Sequence, residues 1–268
     1  YKVFHISSEQ VIKERPINDN WTIRKSEEAI KFLEMEKTDM SSMQYGQEYL
    51  GLFLDELRQY FSDELIDKVC CLKRRETIAK NSHYSLGVDI ARLGDDASTF
   101  EIIDMIDKKN LVQVENIVTK KTRTTQTEDR IYQLNRQYDS IKHIYIDAGS
   151  GSLGVGVFDH LLDNSETKRK VVAINNRARP LDKDGKRTTK LLKEDLYDNL
   201  LSLLERGHLR LLDDEDIRIS LKSVQYEFLK KEMGYTQMRI FGNDTHIAEG
   251  LIRAAWCVKD KALNIWVY

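Results

Sequence analysis

The chain lacks the features that would place it at once. Its three cysteines, Cys70, Cys71 and Cys257, are odd in number, and none has a partner at zinc-ligand spacing. No disulfide framework or thiolate zinc site is expected, and a reducing setting is the default. No apolar run reaches the roughly 18 residues that a membrane span needs, and no stretch has a signal-peptide pattern. Proline punctuates only at Pro16 and Pro180. Neither sign of charge dominates: 42 basic and 44 acidic side chains leave a formal net charge of -2. Bulk charge alone therefore does not hold this chain on nucleic acid, although basic patches beside an acidic centre remain open to it. No Gly-x-x-x-x-Gly-Lys-Ser/Thr occurs, so ATP hydrolysis of the P-loop kind is not expected. The first residue, Tyr1, is not Met and reads as mid-domain sequence, which predicts a fragment of a longer protein.

What is present suffices for a sizeable core, with 41% hydrophobic residues in 268. Residues 1–80 read as a charged helical segment. Ile30, Leu33 and Met35 recur within 27–37, and Tyr49, Phe53 and Leu57 stand at i, i+4, i+8. From Tyr84 the pattern turns to strands over 84–91, 98–106 and 111–118, joined by Gly94-Asp95-Asp96 and Lys108-Lys109-Asn110. A helix is predicted over 125–138, a strand over 143–146, a helix over 152–162 and a strand over 170–174. A helix over 189–205, a hairpin of 223–228 with 236–241 around Met233-Gly234, and a last helix over 245–259 complete the order. An antiparallel meander followed by alternating strands and helices implies a mixed sheet of five or more strands with parallel crossovers, in an α/β domain over 81–268.

Two of these strands carry a carboxylate at the end: Tyr-Ser-Leu-Gly-Val-Asp89 and His-Ile-Tyr-Ile-Asp147. An unpaired buried charge costs several kcal/mol, so an acid there needs a reason, either metal coordination or an ordinary turn role. The first and fourth strands can be parallel neighbours, which would set Asp89 and Asp147 side by side where ligands collect in open sheets. On the last helix His246, Glu249 and Arg253 fall at i, i+3, i+7 on one face, with Ile247, Leu251, Ala254 and Val258 on another. Glu249 is then a third acid or an ordinary first-turn residue, and Asp244 is the expected cap. Three converging acids repel one another without cations. Two Mg²⁺ or Mn²⁺ ions about 3.5–4 Å apart would remove that conflict.

These residues resemble a known family. Gly87-Val-Asp-Ile-Ala-Arg-Leu-Gly-Asp-Asp-Ala-Ser-Thr99, Ile144-Tyr-Ile-Asp-Ala-Gly-Ser-Gly151 and His246-Ile-Ala-Glu-Gly-Leu251 are similar, in order and spacing, to the nuclease domain of phage terminase large subunits. Residues 43–55 resemble the stretch joining the packaging ATPase to the nuclease, and Val3-Phe-His-Ile6 the tail of that ATPase. The resemblance implies an RNase H-like fold and metal-dependent endonuclease activity on double-stranded DNA concatemers during packaging. It also implies an ATPase domain in the same full-length protein, the portal and the small terminase subunit as partners, and work in the host cytoplasm and at the procapsid portal. By position it makes Asp89, Asp147 and Glu249 metal ligands, Glu249 standing where many relatives carry Asp. His246 becomes a ligand or a general acid/base. Asp96 matches an acid often found after the first hairpin, and a turn role suits it equally.

Basic residues gather at Lys120, Lys121 and Arg123. They gather again at Arg177, Arg179, Lys183, Lys186, Arg187 and Lys190, in a loop that could hold DNA phosphates. Three rivals remain. Gly149-Ser-Gly-Ser-Leu-Gly154 matches a dinucleotide-binding turn, although Asp147 would sit beside a pyrophosphate and the next strand ends in Asn175-Asn176 rather than an acid. Val88-Asp-Ile-Ala91 with Ile146-Asp-Ala-Gly-Ser-Gly151 resembles an actin-like ATPase, which needs two such domains and gives His246 and Glu249 no role. A non-catalytic DNA-binding or motor-docking module is the third.

Overall fold

A computed structural model describes residues 6–39, 49–51, 59–79, 81–91, 96–107, 109–149, 151–180, 185, 187, 190–230 and 236–259. The chain forms two compact units, Tyr1–Gln59 and Tyr60–Tyr268. The first contains α1 (Ser8–Glu14), capped by the Ser7 side chain on the amide of Gln10, and α2 (Ile23–Asp39). Of the expected apolar positions among the described residues, Leu33 is buried, while Ile30 and Met35 are exposed. Phe53 and Leu57, and the resemblances over 43–55 and at Val3-Phe-His, lie wholly or mostly outside the described residues.

The second unit opens with α3 (Asp63–Val69) and β1 (Cys70–Leu72). The meander follows as β2 (Tyr84–Asp89), β3 (Ala97–Asp104) and β4 (Leu111–Lys120). Then come α4 (Thr124–Gln137), β5 (Ile141–Asp147), α5 (Gly154–Asp163), β6 (Val171–Ile174) and α6 (Leu192–Glu205). The chain continues through β7 (Leu209–Leu212), α7 (Glu215–Ser223) and a separate hairpin of β8 (Gln225–Lys230) with β9 (Thr236–Phe241). It closes with α8 (His246–Ala254) and a 3-10 turn, Ala255–Val258. Seven strands form one sheet in the order β1-β7-β4-β3-β2-β5-β6. β2, β3 and β4 pair antiparallel, and β5, β6, β7 and β1 join in parallel. This is the expected mixed α/β sheet. No described helix is long and apolar enough to cross a membrane.

The sequence reading ended the helical segment at 80, whereas the compact sheet unit begins at Tyr60. Phe61, Ile66 and Val69 are buried in the core beside α6 and α7, and β1 extends the sheet by pairing with β7. At three and four residues, β1 and β7 are too short to show a period of two.

Alternation along the strands builds a layer on each side of the sheet. Leu86, Val88, Phe100, Ile102, Ile144 and Ile146 pack with Ile131 and Leu134 of α4 and Leu161 of α5. Ile103, Leu111 and Tyr145 pack on the opposite side with α6, α7 and α8. The residues of β2 and β5 that share the α8 side are therefore 85, 87, 89 and 143, 145, 147.

Candidate metal centre

Register carries two of the predicted acids to one place. β2 and β5 run parallel with Val88 opposite Ile146, so Asp89 and Asp147 end adjacent strands and point to the same side. Helix α8 lies directly over them. Its approach depends on small residues: a Cβ on Gly87 would stand 2.1 Å from the Gly250 carbonyl oxygen and 2.3 Å from the Ala254 nitrogen. The hydroxyls of Ser85 and Thr99 donate to the carbonyls of Ala254 and His246, both at 2.8 Å. With the helix axis fixed this low, His246, Glu249 and Arg253 reach the strand ends, as their spacing predicted. The N-cap is Thr245 and makes no side-chain cap bond, so Asp244 does not take the capping place expected of it.

At the centre of the acids stands a cation. The Arg253 side chain is 1% exposed. Its Nη1 donates to Asp89 Oδ1 at 3.2 Å and to the Glu249 carbonyl at 2.6 Å. Its Nη2 donates to Glu249 Oε2 at 3.1 Å and Asp147 Oδ2 at 3.4 Å. His246 Nδ1 lies 3.0 Å from Asp89 Oδ2. That bond raises the histidine pKa above its ordinary value against the opposing effect of burial. Asp96 is well exposed and reaches only the far nitrogen of His246, at 3.6 Å.

Glu249 is placed differently from the two aspartates. Its Oε1 receives the Tyr197 hydroxyl and the Lys193 ammonium, both at 2.9 Å. Its Oε2 receives Arg253 at 3.1 Å and the Asn176 amide at 3.3 Å. A carboxylate offers about four acceptor positions, and here the protein fills them all. Burial alone would raise this pKa, but the Lys193 and Arg253 charges outweigh it and hold the group below the usual carboxylate range. Burial, and after it the charge and hydrogen bond of Glu249, push the Tyr197 hydroxyl well above its usual range. Lys193, Tyr197, Asn176 and the central role of Arg253 escaped the sequence reading.

Among the described residues no group of three or more His, Cys, Asp or Glu converges closely enough to hold an ion. The expected cage of three acids with Asp96 is therefore not what the geometry offers. Asp89 and Asp147 remain as an oxygen pair with unfilled acceptor positions. The three carboxylates (Asp89, Asp147 and Glu249) face the basic side chains of Arg253, Lys193 and His246. Asp89 and Asp147 are the two carboxylates that could contribute to a hard divalent ion, which characteristically takes one or two carboxylates and keeps its waters.

Asp147 opens onto a cleft of about 650 Å³ lined in part by Asn176, Arg177, Lys193 and Arg239. The glycines beside it serve this turn. A Cβ on Gly154 would stand 1.9 Å from the Asp147 carbonyl oxygen, and Gly151 has a φ of +82°. That accounts for the dinucleotide-like spacing without a dinucleotide. Of the predicted basic loop, Arg177 lines the cleft, and Arg179 and Arg187 are exposed. Lys183 and Lys186 lie outside the described residues. Lys190 is ion-paired with Asp195, at 3.0 Å, and with Asp198. Arg239 on β9 was missed because it lies far from the loop in sequence. No disulfide joins Cys70, Cys71 and Cys257.

Fold and site together define a class: RNase H-like α/β domains with carboxylates at the switch point of a mixed sheet. Within it, the chain has the fold of large terminase nuclease domains. It is similar to the large terminase nuclease of thermophilic phage G20c, with TM-score 0.55, 18% identity, and 74% of this chain and 97% of that one covered. That nuclease has also been solved with bound magnesium. It is similar to the nuclease domain of gp2 from bacterial virus Sf6, with TM-score 0.54, 12% identity, and 73% and 97% covered. It also matches the large terminase of bacteriophage HK97, with TM-score 0.52, 10% identity, and 90% of this chain but 51% of that one covered. No protein-family model and no curated protein matches the sequence.

Proposed function

We propose that this chain is the nuclease part of a viral large terminase, hydrolysing phosphodiester bonds of double-stranded DNA in the presence of Mg²⁺ or Mn²⁺. The observation that carries the reading is the pair Asp89 and Asp147, in register on adjacent parallel strands beside a cleft with basic side chains on its walls. A divalent ion on that pair supplies Lewis-acid stabilisation of the charge that develops on the reacting phosphodiester. His246 orients Asp89 through Nδ1. Glu249 is a positioning residue: it gathers Arg253, Lys193, Tyr197 and Asn176 around the aspartates. Arg177, Lys193 and Arg239 hold the DNA backbone along the cleft, without reading sequence.

The fold likeness supports the wider reading. The substrate is concatemeric viral DNA, the ATPase domain of the full-length protein is the motor, and portal and small terminase subunit are its partners in the infected cell. The Arg253 link among the acids also suits a module that docks DNA without cutting it, and one experiment separates the two. Supercoiled plasmid is incubated with the protein and Mn²⁺. The nuclease reading expects nicked and linear products from wild type and none from Asp89→Asn. Equal cutting by both rejects the site, and tight DNA binding without cutting in Mg²⁺, Mn²⁺ or Co²⁺ selects the docking module.

A further inference from the structure

We infer that Lys120 and Arg123 hold the strand of the duplex that is not being cut. The inference rests on the nuclease reading above and says which backbone each flank of the site meets. Register places the pair. Asp89 stands opposite Thr99 on β3, and Thr99 opposite Val118 on β4. Lys120 follows Val118 two residues further on, so it faces the same side of the sheet as Asp89. Two strand spacings across and two residues along put its backbone roughly 12 Å from that of Asp89. On the other side of the acids, Asp147 stands opposite Ile174 on β6, and the cleft with Arg177 and Arg239 opens beside it. The acids thus lie between two basic flanks.

Lys120 and Arg123 are both exposed, and neither is ion-paired with a described carboxylate. Arg123 engages α4 through its backbone amide, which donates to Gln126 Oε1 at 2.8 Å. Lys121 between them takes a φ of 55°, a left-handed conformation uncommon outside glycine, and turns the chain from β4 toward α4. A pocket of about 140 Å³, lined in part by Thr99, Lys120 and His246, joins this flank to the acid centre. Asp216 and Asp244 also line it, and their charge keeps a phosphate backbone toward β4. Groove widths decide between the two strands. The minor groove is about 6 Å wide and the major about 12 Å, before the backbone rims are counted. A reach of roughly 12 Å from Asp89 spans the minor groove with its rims and falls short across the major one. With one strand's phosphate at Asp89, the backbone over Lys120 and Arg123 is therefore the other strand's. These contacts go to phosphate and read no sequence. Single-stranded DNA presents nothing to that flank.

The test compares a short DNA duplex with one of its own strands, on the full chain. Binding is followed by fluorescence anisotropy over a range of salt, in EDTA so that nothing is cut. With Lys120→Gln and Arg123→Gln together, the slope of log K against log salt for the duplex is expected to fall by close to 1.8, about two phosphate contacts. Between about 50 and 200 mM salt, the variant then loses about 12-fold less affinity than wild type does. The single-strand slope is expected to match wild type. An equal fall on both ligands overturns the inference, because the flank would then follow the cut strand. No fall on either also overturns it. So does wild type that binds the duplex and not the single strand, because the cleft would then not hold a strand by itself. Arg177→Gln with Arg239→Gln, on the opposite flank, is expected to weaken both ligands and keeps the failures apart. If it does so while the Lys120 and Arg123 variant changes nothing, the DNA site stands and the inference falls. Wild type that binds neither ligand removes the DNA reading and the inference with it. Should the double variant fail to fold, Arg123→Gln alone is expected to lose about half that slope on the duplex only. An unchanged duplex slope there overturns the inference.

Discussion

Glu101 should make the protein lose stability as the solution turns from acid to neutral, and Glu101→Gln should remove that loss. The residue stands in the middle of β3, 0% exposed, on the side of the sheet covered by α8. A Cβ on Gly250 would come within 2.8 Å of its Cγ. Oε2 accepts from Gln113 Nε2 at 2.6 Å, and Oε1 is buried without a partner. Burial therefore holds its pKa well above the ordinary value, with the Gln113 bond offsetting only part of that. In the unfolded chain the carboxyl ionises near pH 4.5. Below that pH both states are protonated and Glu101 exacts no penalty. Above it, folding must recapture a proton, so stability falls by about 1.4 kcal/mol per pH unit until the folded-state pKa is passed. Gln is isosteric and does not titrate. Its own packing and hydrogen-bond changes shift stability by a constant that drops out when slopes are compared. Urea unfolding followed by circular dichroism at a series of pH values from 4 upward supplies both curves. The gap, variant minus wild type, should widen with pH at about that slope. Parallel curves would refute the argument, because they would mean that Glu101 is ionised in the folded protein.

Three further perturbations address the site. Gly87→Ala puts a methyl where the α8 backbone lies and should cost at least the 1–3 kcal/mol, roughly, of an overpacked core, read as a lower urea midpoint. Tyr197→Phe removes the hydroxyl on Glu249 Oε1 and should cost about 1.5–3 kcal/mol, as a bond to a charged group does, read by thermal unfolding. A destabilisation under half that figure would show that Glu249 does not depend on the hydroxyl. Replacing Arg177 and Arg239 together by Ala should flatten the dependence of log K on log salt for duplex DNA by about two phosphate contacts, close to 1.8 in slope. An unchanged slope would remove both from the DNA path.

The sheet was legible where its strands are long and their surroundings uniform. β2 and β3 are buried on both faces, β5 is buried over its second half, and the carboxylates that end β2 and β5 stood out against the apolar residues before them. Asp89 and Asp147 are neighbours because the meander-then-crossover order permits little else. β1, β7 and α7 were lost for a different reason. Each is short, and its burial comes from tertiary neighbours such as Phe61 and Leu200 rather than from a period within the segment.

The centre shows more sharply what pattern reading can and cannot deliver. Helical spacing set His246, Glu249 and Arg253 on one face, and the structure puts all three at the strand ends. What spacing does not carry is which lone pairs are spent. Lys193, Tyr197 and Asn176 come from α6 and from the loop after β6, between 73 and 52 residues before Glu249, and they fill it only once the chain has folded. Their arrival turns an acid that reads as a metal ligand into the anchor of a buried hydrogen-bond network. Buried polar groups seek partners until satisfied, and the nearest strong donors win. An ion competes most easily for oxygens that the protein has left open. By that argument the candidates for holding an ion follow less from which acids meet than from which arrive with open lone pairs, and among these three Glu249 is the one without any.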